Sequence, residues 1–313
     1  MKYKIFVDGS EGTTGLKINE RLACRNDLDV IRIGPDKRKD LAERKKYINS
    51  ADIVFLCLPD LAAKEAVSLI SNSSTKVIDA STAHRTDINW AYGLPELSRS
   101  HRLKIQNSAK VAVPGCYATG FISIMYPLVT GGLVPKDYPS TSHAISGYSG
   151  GGKKLIEQYE STNENLFESP QLYGLNLAHK HIPEMRIISG LSCAPIFSPI
   201  VSSYYKGMSV SVPLHTRLLP GSPTMKTIHD FLSCHYNNEK YIKVMPLGAE
   251  KDLPNSFLGA TKVNDTNYLE IYVVGNDEQI MLVSVLDNLG KGSSGAAIQN
   301  MNIMLGLDEG LGL

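Results

Sequence analysis

Cys116 stands in Val113-Pro114-Gly115-Cys116-Tyr117-Ala118-Thr119-Gly120, where a short β-branched run hands over to a helix-forming stretch. A thiol at that junction meets the backbone amides of a helix start. These favour the thiolate, the form that attacks a carbonyl carbon. Small residues on either side keep the approach open, so Cys116 is the expected nucleophile. The other cysteines, Cys24, Cys57, Cys193 and Cys234, read as buried packing residues. A partner for the thiol is offered by His179-Lys180-His181, followed by Pro183-Glu184. Two histidines one residue apart also suggest a metal, but a zinc site takes three or four ligands, and no cysteine or further histidine lies at a suitable spacing. An imidazole that helps form the thiolate and later protonates a hemithioacetal oxygen or a leaving group accounts for the pair, with His179 the first choice and His181 the second. No metal is expected.

A second chemistry-bearing segment is Gly9-Ser10-Glu11-Gly12-Thr13-Thr14-Gly15, directly after the apolar run Lys4 to Asp8 and before the helical stripe Leu16, Ile18, Leu22. Gly9, Gly12 and Gly15, with Thr13 and Thr14 between the last two, permit a tight turn. They let backbone amides approach a diphosphate at the positive end of a helix. The spacing differs from the commoner Gly-x-Gly-x-x-Gly, so the strand-turn-helix setting carries the reading. Where the next strand ends, Ile33-Gly34-Pro35-Asp36 is followed by Lys37-Arg38-Lys39. An acid there would take the 2′-hydroxyl of NAD, whereas a basic run suits the 2′-phosphate of NADP. NADP is expected, with Arg38 on that phosphate and Asp36 as the contrary signal. Arg85, in Asp79-Ala80-Ser81-Thr82-Ala83-His84-Arg85, is placed to fork onto a substrate phosphate. Ser149 and Gly150, in the glycine-rich run 146–154 that opens a helix, offer backbone amides to an anionic substrate or cofactor. Asn288 is a candidate for the nicotinamide carboxamide.

The elements that must position these residues follow from periodicity. Strands are expected at Tyr3 to Asp8, Asp29 to Ile33, Asp52 to Leu58, Thr75 to Ala80 and Lys110 to Val113, alternating with helices. Ile53 to Leu58 is apolar without alternation, as a central parallel strand must be. One such helix runs from Leu61 to Ile70 with Asp60 as its cap. From about residue 135 the strands lengthen, and Tyr268 to Val274 with Ile280 to Leu286 form a hairpin around Gly275-Asn276-Asp277. Helical spacing returns from Gly292 to Leu305, and this tail is expected to pack on the first domain. The fold class is thus α/β, with a doubly wound dinucleotide-binding domain (residues 1–115 and 288–313) and an α+β catalytic domain (residues 116–287).

At 313 residues, the chain has 32 Lys plus Arg against 31 Asp plus Glu, so no summed positive field draws nucleic acid or an anionic membrane. Five scattered cysteines without a Cys-x-x-Cys pair suit a reducing compartment. Met1 runs directly into a strand, and no apolar stretch reaches membrane-spanning length. The cytoplasm is the expected address.

Five segments, in order, resemble the shorter type of N-acetyl-gamma-glutamyl-phosphate reductase. They are residues 8–15, 113–120, 147–153, His179-Lys180-His181-Ile182-Pro183-Glu184 and 292–300. The resemblance spans nearly the whole chain. It implies a Rossmann-type NADP domain, a dimerising α+β catalytic domain in a homodimer or homotetramer, and an essential cysteine that carries over to Cys116. The histidine role carries over to His179 and His181 without choosing between them. The implied reaction is attack of Cys116 on an acyl phosphate, a thioester, and reduction by NADPH to N-acetyl-glutamate semialdehyde. Two other readings use the same residues. One is a sister acyl-phosphate reductase such as aspartate-semialdehyde dehydrogenase; the other is a non-catalytic NADP-binding redox sensor with Cys116 as its switch.

Overall fold

In the computed structural model, which describes residues 2–161 and 167–313, packing divides the chain into Met1–Pro114 with Ser293–Leu313, and Gly115–Gly292. The first unit runs β1 (Tyr3–Asp8), α1 (Thr13–Ala23), β2 (Leu28–Ile31), α2 (Leu41–Ser50), β3 (Ile53–Leu56), α3 (Asp60–Ser68), β4 (Lys76–Asp79), β5 (Ala91–Tyr92), α4 (Arg99–Asn107) and β6 (Lys110–Ala112). Its sheet is parallel throughout, in the order β2-β1-β3-β4-β6-β5. Alternate residues serve opposite cores. Ile5, Ile53 and Phe55 pack with α1 and the C-terminal helix Gly295–Leu305, while Phe6, Val54 and Leu56 pack with α2 and α3. Burial on both faces is why β3 shows no polar alternation.

The structure amends several expectations. In this unit β2, β3, β4 and β6 are shorter at one or both ends than expected, β1 is as expected, and the two-residue β5 was not foreseen. Asp60 does not cap α3. Pro59 is the N-cap and Asp60 the first helical residue, because its carboxylate accepts hydrogen bonds from the Thr82 backbone and hydroxyl and so ties α3 to the segment after β4. Cys24, Cys193 and Cys234 are exposed. Cys24 is the C-cap of α1, where the helix emerges into solvent.

The second unit runs α5 (Cys116–Thr130), β7 (Thr141–Gly147), α6 (Lys153–Ser161), β8 (Gln171–Leu172), α7 (Ile182–Ser189), β9 (Ile196–Ser202), β10 (Met208–His215), α8 (Met225–Tyr236), β11 (Ile242–Val244), β12 (Leu269–Gly275) and β13 (Gln279–Leu286). Its mixed sheet has the order β11-β12-β13-β10-β7-β9-β8. The expected hairpin is β12–β13, antiparallel from Leu269↔Leu286 to Gly275↔Ile280. Buried α5 lies against β10 and β13. A Cβ on its Gly120 would come within 2.6 Å of Ser284 Oγ and 2.7 Å of Val210 Cγ2, so glycine sets how closely helix meets sheet. Among the described residues no helix is long and apolar enough to cross a membrane.

Candidate active site

Cys116 is the first residue of α5, with Gly115 as N-cap and no side chain capping the helix. The amides of the first turn are therefore available to favour negative charge on a group at the helix start. Half-buried Cys116 is also fixed from the far end of the unit. A Cβ on Gly292 would stand 2.8 Å from Cys116 Cβ, so that turn passes against the cysteine only because it has no side chain. Asp287 shapes the turn, accepting from Leu289 N at 2.8 Å, Gly290 N at 3.2 Å and Asp265 N at 2.9 Å.

Both expected histidines lie beside Tyr117. The His179 ring centroid is 5.8 Å from that of Tyr117, 5.7 Å from Tyr173 and 5.2 Å from Phe197, and 4.7 Å from His181. The two histidines differ in setting. His181 is the buried N-cap of α7, and its backbone N–H donates to His179 Nδ1 at 3.1 Å. A neutral imidazole that accepts at Nδ1 carries its proton at Nε2, so the network assigns His179 the donor tautomer. Tyr173 donates to the Tyr117 oxygen at 3.2 Å. Burial pushes both phenols well above their ordinary range, and the negative charge of a Cys116 thiolate pushes further. Both stay protonated donors. Glu184, buried on the first turn of α7, accepts the Gly115 N–H at 3.2 Å and so braces the residue before the nucleophile.

Ser149, Gly150 and Asn288 belong to the same unit. Asn288 is buried; its Oδ1 accepts from Gly207 N at 2.7 Å and its Nδ2 donates to Ser149 Oγ at 3.0 Å. These bonds make Asn288 a tie between β10 and the glycine-rich turn. Gly150 lies over Ser146, since a Cβ there would be 3.2 Å from Ser146 Oγ. Tyr173, Phe197, Glu184 and Gly292 received no role from the sequence. The two-residue β8 that carries the chain to Tyr173 is too short to leave a periodic signal.

The glycine loop lies in the first unit. Gly9 has φ +88°, and a Cβ there would be 2.3 Å from the Cys57 carbonyl oxygen, while one on Gly15 would be 2.4 Å from the Gly9 carbonyl oxygen. Both positions require glycine. Gly12 is the N-cap of α1, with no side chain capping the helix, and Thr13 and Thr14 open its first turn. The amides there can meet a diphosphate, and the cavity of about 320 Å³ over the loop reaches Arg38 and Cys57. The loop thus fits a dinucleotide. Beneath it, Arg44 Nη2 lies 2.9 Å from Asp8 Oδ2 and Arg44 Nη1 2.8 Å from Glu65 Oε2. Burial raises the Asp8 carboxyl above its usual range, opposed by Arg44. Burial also pushes the Cys57 thiol far up, so Cys57 stays a neutral thiol at the cavity wall.

Arg85 also lies in the first unit, buried, donating from Nε to Val113 O at 2.9 Å and from Nη2 to Ala80 O at 3.2 Å. Those bonds lock the segment after β4 to the end of β6. His84, left unassigned by sequence, stacks on Trp90 with centroids 4.1 Å apart, and its Nδ1 is 2.7 Å from Asp79 Oδ2. Among the described residues, no group of three or more His, Cys, Asp or Glu side chains is placed to hold a metal ion.

Residues 4–105 match the NAD binding domain of semialdehyde dehydrogenases, and residues 116–288 match their dimerisation domain. A protein of Nostoc sp. named N-acetyl-gamma-glutamyl-phosphate reductase 2 is 48% identical, covering 100% of this chain and 99% of its own. A protein of the same name from Pseudomonas putida is 47% identical over 96% of each chain. The N-acetyl-gamma-glutamyl-phosphate reductase of Brucella ovis is 48% identical over 98% of this chain and 100% of its own. Among solved structures, aspartate semialdehyde dehydrogenase II of Vibrio cholerae superposes with a TM-score of 0.71 at 13% identity, covering 97% of this chain and 98% of its own. The Candida albicans aspartate semialdehyde dehydrogenase with NADP gives 0.70 at 13%, covering 97% and 99%. At such identity these two structures speak for the fold alone.

Proposed function

Since the chain belongs to the N-acetyl-gamma-glutamyl-phosphate reductase family, within the semialdehyde dehydrogenases, we propose that it reduces N-acetyl-L-glutamyl 5-phosphate to N-acetyl-L-glutamate 5-semialdehyde and phosphate through a thioester on Cys116, in arginine biosynthesis. The observation that carries the mechanism is Cys116 as the first residue of an uncapped helix, followed by Tyr117, whose phenol pairs with Tyr173 and whose ring packs with an imidazole held as a donor. The first-turn amides hold the thiolate. Cys116 Sγ attacks the acyl carbon, the carbon–oxygen bond to phosphate breaks with its electron pair leaving on the phosphate oxygen, and the His179 Nε2–H donates a hydrogen bond to that oxygen. Sulfur conjugates weakly with the carbonyl, so the thioester stays open to reduction. NADPH, when bound, supplies the hydride. Collapse of the hemithioacetal oxyanion then re-forms the carbonyl and returns the electron pair of the carbon–sulfur bond to sulfur, releasing the aldehyde and restoring the thiolate. Neutral Tyr117 and Tyr173 keep the surroundings of the sulfur uncharged.

The first unit holds the cofactor through Gly9, Gly12, Thr13, Thr14 and Gly15 on the diphosphate and Arg38 on the 2′-phosphate of NADP. Arg85, Ser149 and Gly150 are assigned to the acyl-phosphate substrate, and Asn288 to the nicotinamide end, its side chain oriented by Gly207 and Ser149. His179 is the hydrogen-bond donor to the reacting oxygens, and the backbone N–H of His181 sets its tautomer. The dimerisation-domain match supports self-association, which we assign as a homodimer or homotetramer working in the cytoplasm.

The reaction is tested in reverse, by following NADP reduction with N-acetyl-glutamate semialdehyde or aspartate semialdehyde, with and without phosphate. Phosphate-dependent turnover that prefers the acetylated aldehyde and is lost in Cys116→Ala is expected. Preference for aspartate semialdehyde would overturn the substrate. Turnover surviving in Cys116→Ala would remove the thioester, and no turnover by the wild type would favour a sensor.

A further inference from the structure

Beside the glycine loop, a cavity of about 260 Å³ is lined by residues that include Ser10, Glu11, Asn19, Arg32 and Arg38. It holds an arrangement that the sequence did not suggest. Arg38 Nη1 lies 2.6 Å from Glu11 Oε1, and Arg38 Nε is buried with no hydrogen-bond partner among the described residues. Part of the guanidinium is thus engaged by a carboxylate, and part still lacks an acceptor.

The usual acid for a ribose 2′-hydroxyl stands at the end of the second strand. Here that acid would be Asp36, which lines neither of the two cavities at the loop. Its Oδ1 turns back on Gly34, where a Cβ would be 2.9 Å away. The acids that do line these cavities are Glu11 and Asp8, and Asp8 is already held by Arg44. Glu11 therefore sits where a 2′-phosphate must reach Arg38. Its carboxylate and a phosphate compete for the same guanidinium, and a 2′-hydroxyl, which needs an acceptor, is served by that carboxylate instead.

We propose that Glu11 is a specificity-determining residue: it occupies Arg38 in place of the 2′-phosphate, is displaced when NADP binds, and accepts the 2′-hydroxyl when NAD binds. The inference rests on the reading that Arg38 receives the 2′-phosphate. One consequence is a preference for NADP narrower than Arg38 alone would give. The pair is largely solvated, with side-chain exposures of 34% for Arg38 and 71% for Glu11, so displacing it is worth a modest factor.

The test is calorimetric titration of the full chain with NADP⁺ and with NAD⁺, for wild type, Glu11→Gln and Arg38→Gln. Glu11→Gln is expected to tighten NADP⁺ about two- to fivefold and to weaken NAD⁺ by a similar factor. The NADP⁺ gain should shrink as salt screens the pair. Opposite signs matter, because removing a negative charge near any diphosphate would tighten both ligands alike. Equal tightening, or no change in either, overturns the role of Glu11 while leaving Arg38 untouched. Arg38→Gln is expected to weaken NADP⁺ and spare NAD⁺. If it spares both, the 2′-phosphate reading itself falls, and the inference with it.

Discussion

Replacing Gly292 with alanine should displace the nucleophile. The added Cβ would lie 2.8 Å from Cys116 Cβ, 3.3 Å from Cys116 Cα and 3.2 Å from the Asp287 carbonyl oxygen. Non-bonded carbons settle at about 3.5–4.0 Å, so a gap of roughly 0.7 Å or more must open. None of these atoms is the end of a flexible side chain, so either the start of α5 or the turn must move. Overpacking of this kind costs about 1–3 kcal/mol. A shift near 1 Å in a reacting group can lower the rate on the order of a hundredfold. The assay combines kcat for phosphate-dependent NADP reduction, thermal unfolding, and mass-spectrometric labelling of Cys116 by iodoacetamide. Site-resolved labelling is needed because Cys24, Cys193 and Cys234 are exposed. Gly259→Ala is the control, since a Cβ there meets nothing within 4 Å. If Gly292→Ala keeps kcat within about twofold of wild type and labels at the same rate, the claim that this contact positions the sulfur is refuted.

Two further substitutions probe the first unit. Gly15→Ala places a Cβ 2.4 Å from the Gly9 carbonyl oxygen and 3.0 Å from Ser10 Cα; the loop must open, and calorimetry should find NADP⁺ weakened about tenfold or more, in line with the loss of its helix-end contacts. Arg25 grips Asp27 with two hydrogen bonds of 2.7 Å, and that hydrogen bonding holds the Asp27 carboxyl below its ordinary value of 3.8. A depressed carboxyl contributes stability above the unfolded value and loses it as pH falls through the folded one. With Asp27 39% exposed, solvent discounts the pair, and Asp27→Asn should cost about 1 kcal/mol near neutral pH. Urea unfolding should show that difference closing as pH drops below 3.8; a constant difference would contradict the pairing.

What was legible in the sequence depended on local signals. Residues 53–56 lacked alternation because both faces of β3 are covered, and Gly275, at φ +119°, marked the hairpin. Cys116 stood out because a glycine and a helix start surround it. The order of the second sheet left no trace, since β7, β9 and β10 pair across long separations. The donor histidine was hidden for a different reason: it depends on where one backbone N–H points. Cys234 was misread although its position was legible. The buried stripe of α8 is Ile228, Leu232 and Tyr236, and a residue two places from that stripe faces away.

The first unit is built from two stretches of chain with the second unit inserted between them. Ala296, Ala297, Ile298, Met301 and Met304 of the late helix fill one of its cores against Ile5, Ile18 and Ile53. During synthesis, the glycine loop emerges early with α1 and α4, but the late helix that completes the apolar wall behind its sheet is translated only after the whole second unit. The nascent cofactor unit must therefore wait with one face of its sheet only partly covered, while the inserted unit is continuous in sequence and has no such gap to bridge. Shortened products that stop before Gly295 would carry an intact nucleophile region and an unfinished partner, and such chains are candidates for chaperone capture.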